Sequence, residues 1–182
     1  MAMVGLFWIA EGDVYVGAKP AGLAPGVRLS PEGVTALGDK QSAFWLWDDI
    51  HELTVENVPV KSLKLHLGTM VDMALTLGLG GDDEAPTVTV RMRMRTGTAD
   101  AEVDADADAY VELTAYTAAA SGYSQTEYDL SRALLSRMTE GAATLHTTLA
   151  EMARWGRAHE GGSPRAGERE ALLREWVSAA DV

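Results

Sequence analysis

Phe44-Trp45-Leu46-Trp47-Asp48-Asp49-Ile50 concentrates more specific information than any other stretch of this chain. It carries two of the five tryptophans and one of the two phenylalanines, with an acidic pair directly after them. Strand alternation places Phe44 and Leu46 on one face and Trp45 and Trp47 on the other, with a bend where the acids begin. Ile50 to Val55 then resumes an extended pattern. Each large side chain buried from such a strand contributes roughly 1.5–3 kcal/mol, so the segment reads first as a folding nucleus. If both tryptophans face inward, Phe44 and Leu46 face outward beside Asp48 and Asp49. These four residues form the candidate interaction surface, and the helical C-terminal region is the expected cover for its apolar part.

Short β-rich runs lie on either side of this segment. Gly5 to Ala10 and Val14 to Val16 flank Glu11-Gly12-Asp13, a hairpin signal. Val27 to Leu29 and Val34 to Leu37 flank Ser30-Pro31-Glu32-Gly33, where proline pre-sets the turn. Val58 to Val60 reads as one more short strand. Spacing of this kind predicts an antiparallel barrel or sandwich. Ser62 to Leu79 departs from it: Leu63, Leu67, Met70, Val71 and Ala74 follow helical spacing before a glycine-rich stop, which predicts an inserted helix with an alternating strand as the competing reading.

Thr87 to Arg95 and Asp100 to Tyr116 read as a hairpin around Gly97-Thr98. That register sets Arg95 opposite Asp100, Arg93 opposite Glu102 and Arg91 opposite Asp104, so the only local basic run is written next to acids. From Ser121 the pattern turns helical. Ser124-Gln125-Thr126-Glu127 has capping-box spacing, and Leu135, Met138, Ala142, Leu145, Leu149 and Met152 step by three and four across Gly141. Ser163-Pro164 is expected to cap and open a last helix bearing Leu172, Leu173, Trp176 and Val177. The fold class is therefore α+β: a small antiparallel β-barrel or sandwich domain over residues 1–120, with a helix at about 62–79, and a helical region over 121–182 packed on it.

Composition narrows the partners. The 182 residues are 47% hydrophobic and 23% charged, ordinary for a globular chain. A formal net charge of −12 repels phosphate backbones and anionic bilayers, so neither nucleic acid nor membrane is an expected partner. Absence of cysteine removes thiol nucleophiles and thiolate metal sites. Met1 to Ala10 is apolar, carries no basic residue and is too short to span a bilayer, which fits a cytoplasmic protein.

Val27-Arg28-Leu29-Ser30-Pro31-Glu32-Gly33-Val34, followed by Trp45-Leu46-Trp47-Asp48-Asp49-Ile50, resembles bacterial pleckstrin-homology-like (PH-like) domains over roughly Gly5 to Tyr116. Those domains often show a strand, a turn, a second strand opening on glycine, and then a Trp-x-Asp-Ile progression. The resemblance implies a binding scaffold without an active site and names no ligand. The inserted helix and the long tail depart from the family pattern.

Enzymatic and metal chemistries compete poorly with plainer readings. Asp104, Asp106 and Asp108 alternate as calcium ligands can, but the positions where a calcium loop needs glycine and glutamate hold Ala109 and Ala115. Asp48, Asp49 and His51 suggest acid–base work, yet neighbours on a strand point apart. His51, His66, His146 and His159 have no metal spacing, and no phosphate-loop or nucleophile-elbow motif occurs. No cofactor or metal is expected. The leading function is a non-enzymatic interaction or regulatory module that binds a protein partner or itself, with the helical tail one route to self-association. The alternatives are a barrel holding a small hydrophobic ligand near Trp8, Trp45 and Met92, and an enzyme of unrecognised type.

Overall fold

The computed structural model describes residues 1–61, 86–95, 110–119 and 121–179. Residues 62–79 and the turn at 96–99 lie outside these, as do His66, Asp104, Asp106 and Asp108.

The described residues form two antiparallel sheets and three helices, an α+β fold. Strands β1 (Ala2–Val4), β2 (Phe7–Ala10), β3 (Asp13–Val16), β4 (Gly26–Leu29), β5 (Gly33–Leu37) and β6 (Ala43–Leu46) pair in sequence order as one six-stranded meander. The β2–β3 turn carries positive φ at both Glu11 (56°) and Gly12 (95°), the primed geometry that matches strand twist. A short 3₁₀ turn, Trp47–Asp49, follows β6 where the bend was expected, and β7 (Ile50–Glu56) begins the second sheet. That sheet has the order β7, β8 (Thr87–Met94), β9 (Tyr110–Tyr116). Among the described residues the two sheets remain separate and do not close into a barrel. Val58 to Val60 is not a strand; only Val60 makes a single parallel bridge, to Tyr123.

The register of the large sheet sorts its side chains. Ile9, Val14, Leu29, Val34 and Trp45 align across one face, while Met3, Trp8, Tyr15, Arg28, Thr35 and Phe44 align across the other. Helix α2 (Ala142–Ala158) packs on the first face, with Gly156 seated against the Ile9 side chain. Trp8 and Trp45 therefore stand on opposite sides of the sheet and cannot line one cavity.

In the small sheet Leu53, Val55, Val88, Val90, Met92, Leu113 and Ala115 are all buried. The β8–β9 register differs from expectation: Arg91 faces Glu112 and Arg93 faces Tyr110, rather than Asp104 and Glu102. The shift is even, so every side chain keeps its face. Its cause lies on the apolar side. The observed register brings Val111, Leu113 and Ala115 onto Met92, Val90 and Val88, where the expected one would have met Val90 and Val88 with alanines alone. The arginines still find acids, mostly on the other neighbouring strand: Arg91 lies 3.4 Å from Glu56 and 3.7 Å from Glu112, and Arg93 lies 3.3 Å from Glu52.

Helix α1 (Gln125–Met138) opens with the expected capping box, Ser124 and Glu127 each accepting from the other's backbone N–H. The apolar stripe is buried apart from Ala142, which is exposed, and it belongs to two helices, because the chain breaks at Thr139–Gly141 before α2. Helix α3 (Ala166–Ala179) starts later than Ser163-Pro164 suggests. The Ser163 hydroxyl instead accepts from the Met3 N–H, and the Glu168 carboxylate reaches back to the Arg165 N–H. Leu134, Leu135, Met138, Leu145, Leu149, Met152, Leu173 and Trp176 join Phe7, Ile9, Leu53 and Met92 in one buried cluster.

Candidate functional site

The surface around β6 is built from an edge strand. Among the described residues strand β6 pairs only with β5, in the register Thr35 to Phe44 and Gly33 to Leu46. The Trp45 carbonyl turns toward β5, close above Gly33. Because amide direction alternates along a strand, the N–H and C=O groups of Phe44 and Leu46 turn outward, away from β5. Ala43, Phe44 and Leu46 are exposed, the last two at 50% each.

Gly33 shapes the patch. A Cβ there would lie 2.7 Å from Cζ of Phe44, so the ring rests on the bare glycine backbone and is held flat against β5. Phe44 and Leu46 share one face, as alternation requires, and their exposure shows that it is the outer one. The helical region does not cover Phe44, since α2 found its apolar partner on the opposite face of the sheet. Trp45 and Trp47 are half-buried rather than deeply buried. The Trp47 indole N–H donates to the Ser30 carbonyl at 2.7 Å, tying the bend to the β4–β5 turn.

Asp48 and Asp49 lie exposed on the 3₁₀ turn. The Asp49 carbonyl accepts from the Arg95 N–H at 2.7 Å, and Arg95 Nε donates to the Ile50 carbonyl, which joins the acidic turn to the end of β8. A cleft of about 220 Å³ opens here, lined by Glu32, Leu46, Trp47, Asp48, Arg95, Met138, Leu145 and His146 among others. Glu32 is held below the usual carboxylate range, chiefly by hydrogen bonding to Ser30, with a smaller contribution from His146. The corner between α1 and α2 that supplies Met138 and His146 has no signature in the sequence beyond Gly141.

His51 is exposed at the irregularity where β7 shifts register against β8, and it lines neither this cleft nor any ion pair among the described residues. No group of three or more His, Asp or Glu side chains among the described residues could hold a metal ion. No helix of the described residues is long and apolar enough to cross a membrane. Comparison with protein-family models, with curated proteins and with solved structures finds no match to this chain.

A second feature escaped the sequence reading. The Gln41 carboxamide donates to the Thr114 carbonyl at 2.7 Å and accepts from the Thr114 N–H at 2.8 Å. It thereby acts as a one-residue strand on the outer edge of β9. One residue of glutamine in a connecting loop carries no pattern from which this could be read.

Proposed function

We propose that the chain is a non-enzymatic protein-interaction module of PH-like type, working in the cytoplasm, whose binding surface is Phe44, Leu46, Asp48 and Asp49. The observation that supports this reading is the pair of half-exposed apolar side chains on an edge strand whose outward amides are aligned for a partner. An edge of this kind is normally blunted by charge or proline, and β6 carries neither. Filling of the interior favours this reading over a ligand-holding barrel: Phe7, Leu53, Met92, Leu134 and Met138 are each buried to 1% exposure or less in one cluster.

A photo-reactive amino acid at position 44, activated in the native cell, tests the proposal. A discrete protein adduct at this position that disappears in a Leu46→Ser background is the expected result. Absence of any adduct, with the protein folded and present, overturns it.

A further inference from the structure

The cleft beside the 3₁₀ turn carries charges of both signs that do not pair. Glu32 comes from the β4–β5 turn, Asp48 from the 3₁₀ turn and Arg95 from the chain just beyond β8; all three are exposed and line the cleft. None of them makes an ion pair among the described residues. Their backbones are anchored instead. The Trp47 indole is tied to the Ser30 carbonyl, and Arg95 is tied through its backbone N–H to the Asp49 carbonyl and through Nε to the Ile50 carbonyl. We infer that this cleft binds a free α-amino acid with an apolar side chain, its ammonium group received by Glu32 and Asp48 and its carboxylate by Arg95. This goes beyond the interaction reading and does not depend on it.

The lining disfavours simpler ligands. An anion alone would face two carboxylates, and a cation alone would face the Arg95 guanidinium, whereas a zwitterion finds a complement for each charge. Because Arg95 Nε is spent on the Ile50 carbonyl, its two terminal nitrogens remain for the two-pronged recognition of a carboxylate. Hydrogen bonding to Ser30, with a smaller contribution from His146, keeps Glu32 ionised at neutral pH. Apolar neighbours for the ligand's side chain are Leu46 and Trp47 after β5, and Met138 and Leu145 at the corner of α1 and α2. The volume of about 220 Å³ lies below the roughly 300–1,000 Å³ of pockets that take drug-sized molecules, which suits a ligand as small as one amino acid. Since the anchoring hydrogen bonds exist before any ligand arrives, little ordering is left for binding to offset.

Isothermal titration calorimetry of the purified full chain tests this, with L-leucine and L-methionine as probes. N-acetyl-L-leucine and L-leucinamide serve as controls that lack the ammonium and the carboxylate. One-to-one binding of an amino acid is expected, weakened about tenfold or more by either blocking group. Glu32→Gln and Asp48→Asn, which keep side-chain shape at exposed positions, should each weaken it about tenfold. Glu11→Gln, exposed on the β2–β3 turn outside the cleft, should bind as the native chain does. No binding of either amino acid at millimolar concentration overturns the inference. Binding that the blocked derivatives reproduce, or that both carboxamide substitutions leave unchanged, overturns it as well.

Discussion

The side chain of Gln41 hydrogen-bonds both backbone groups of Thr114, at 2.7 and 2.8 Å, although 73 residues separate them. Its amide nitrogen also lies 3.2 Å from the Gly26 and Leu37 carbonyls. One carboxamide therefore ties the far end of β4 and β5 to the outer edge of β9, next to the Ala18 N–H that donates to the Tyr116 carbonyl. Both sheets are joined there by hydrogen bonds rather than by a shared strand. Replacing Gln41 with alanine should cost about 1–2 kcal/mol, the net worth of two partly exposed hydrogen bonds. It should also speed amide exchange at Thr114 relative to Leu113. Unchanged exchange at Thr114 would show that the edge is protected by something else.

Glu127 is a buried carboxylate, 2% exposed, paired with Arg169 across from α3. Burial pushes its pKa up. Hydrogen bonds from Arg169 and from the Ser124 backbone, with the Arg169 charge, outweigh this and hold it below its ordinary 4.5. A depressed carboxyl contributes stability that is complete above 4.5 and is lost as pH falls through the lowered folded-state value. Arg169→Met leaves the carboxylate buried and unpaired, with an expected loss of about 3 kcal/mol at neutral pH. The gap between variant and native chain should narrow as pH drops below 4.5. Urea denaturation at several pH values measures it, and a gap independent of pH would contradict the assigned pairing.

Tyr123 is 1% exposed, and its hydroxyl oxygen accepts from the Thr117 hydroxyl and the Ala118 N–H at 3.0 and 3.1 Å. Burial raises its pKa above 10.0, with those hydrogen bonds acting in the opposite direction. Tyr123→Phe keeps the ring and removes the acceptor, which should destabilise the fold by about 1–2 kcal/mol. An alkaline spectrophotometric titration should show Tyr15 and Tyr123, both raised chiefly by burial, ionising late in the native chain, with one fewer late tyrosine in this variant.

Gly33→Val should be among the most damaging single changes in the β-sheet. The new side chain would meet the Phe44 ring and the Trp45 carbonyl together. An overpacked site of this kind costs about 1–3 kcal/mol. Phe44→Ala in the same chain should recover only part of the loss, since the Trp45 oxygen is backbone and cannot step aside. Full recovery in thermal denaturation would mean that the ring alone caused the clash.

Deleting residues 121–182 removes Leu134, Leu135, Met138, Leu145, Leu149, Met152, Leu173 and Trp176 from the buried cluster. At roughly 1.5–3 kcal/mol for each large side chain, their combined burial is about 12–24 kcal/mol, comparable to or larger than the 5–15 kcal/mol by which whole domains are stable. The remainder is expected to aggregate or bind a hydrophobic dye. A soluble, monomeric remainder as stable as the full chain would show that the strands hold a core of their own.

Local chemistry was enough to specify the short elements. Glu11-Gly12 dictates a primed turn, Ser124 and Glu127 cap each other within a single helical turn, and the acids after Trp47 end a strand. Each is decided by residues within a few positions of one another, where steric and capping preferences dominate. Alternation puts Phe44 and Leu46 on one face, but which face turns inward depended on where α2 packed. Pairing partners obeyed a different rule. Arg91 meets Glu56 and Glu112 rather than Asp104 because the apolar side of β8 prefers Val111 and Leu113 to alanines, and surface ion pairs worth a few tenths of a kcal/mol yield to that burial. Helix α2 left Phe44 uncovered for a related reason: Ile9 on the opposite face accepts the close approach of Gly156, and a helix can cover one face only. Which faces meet, and so which residues stay exposed to a partner, is a competition among distant apolar surfaces that only the folded chain resolves.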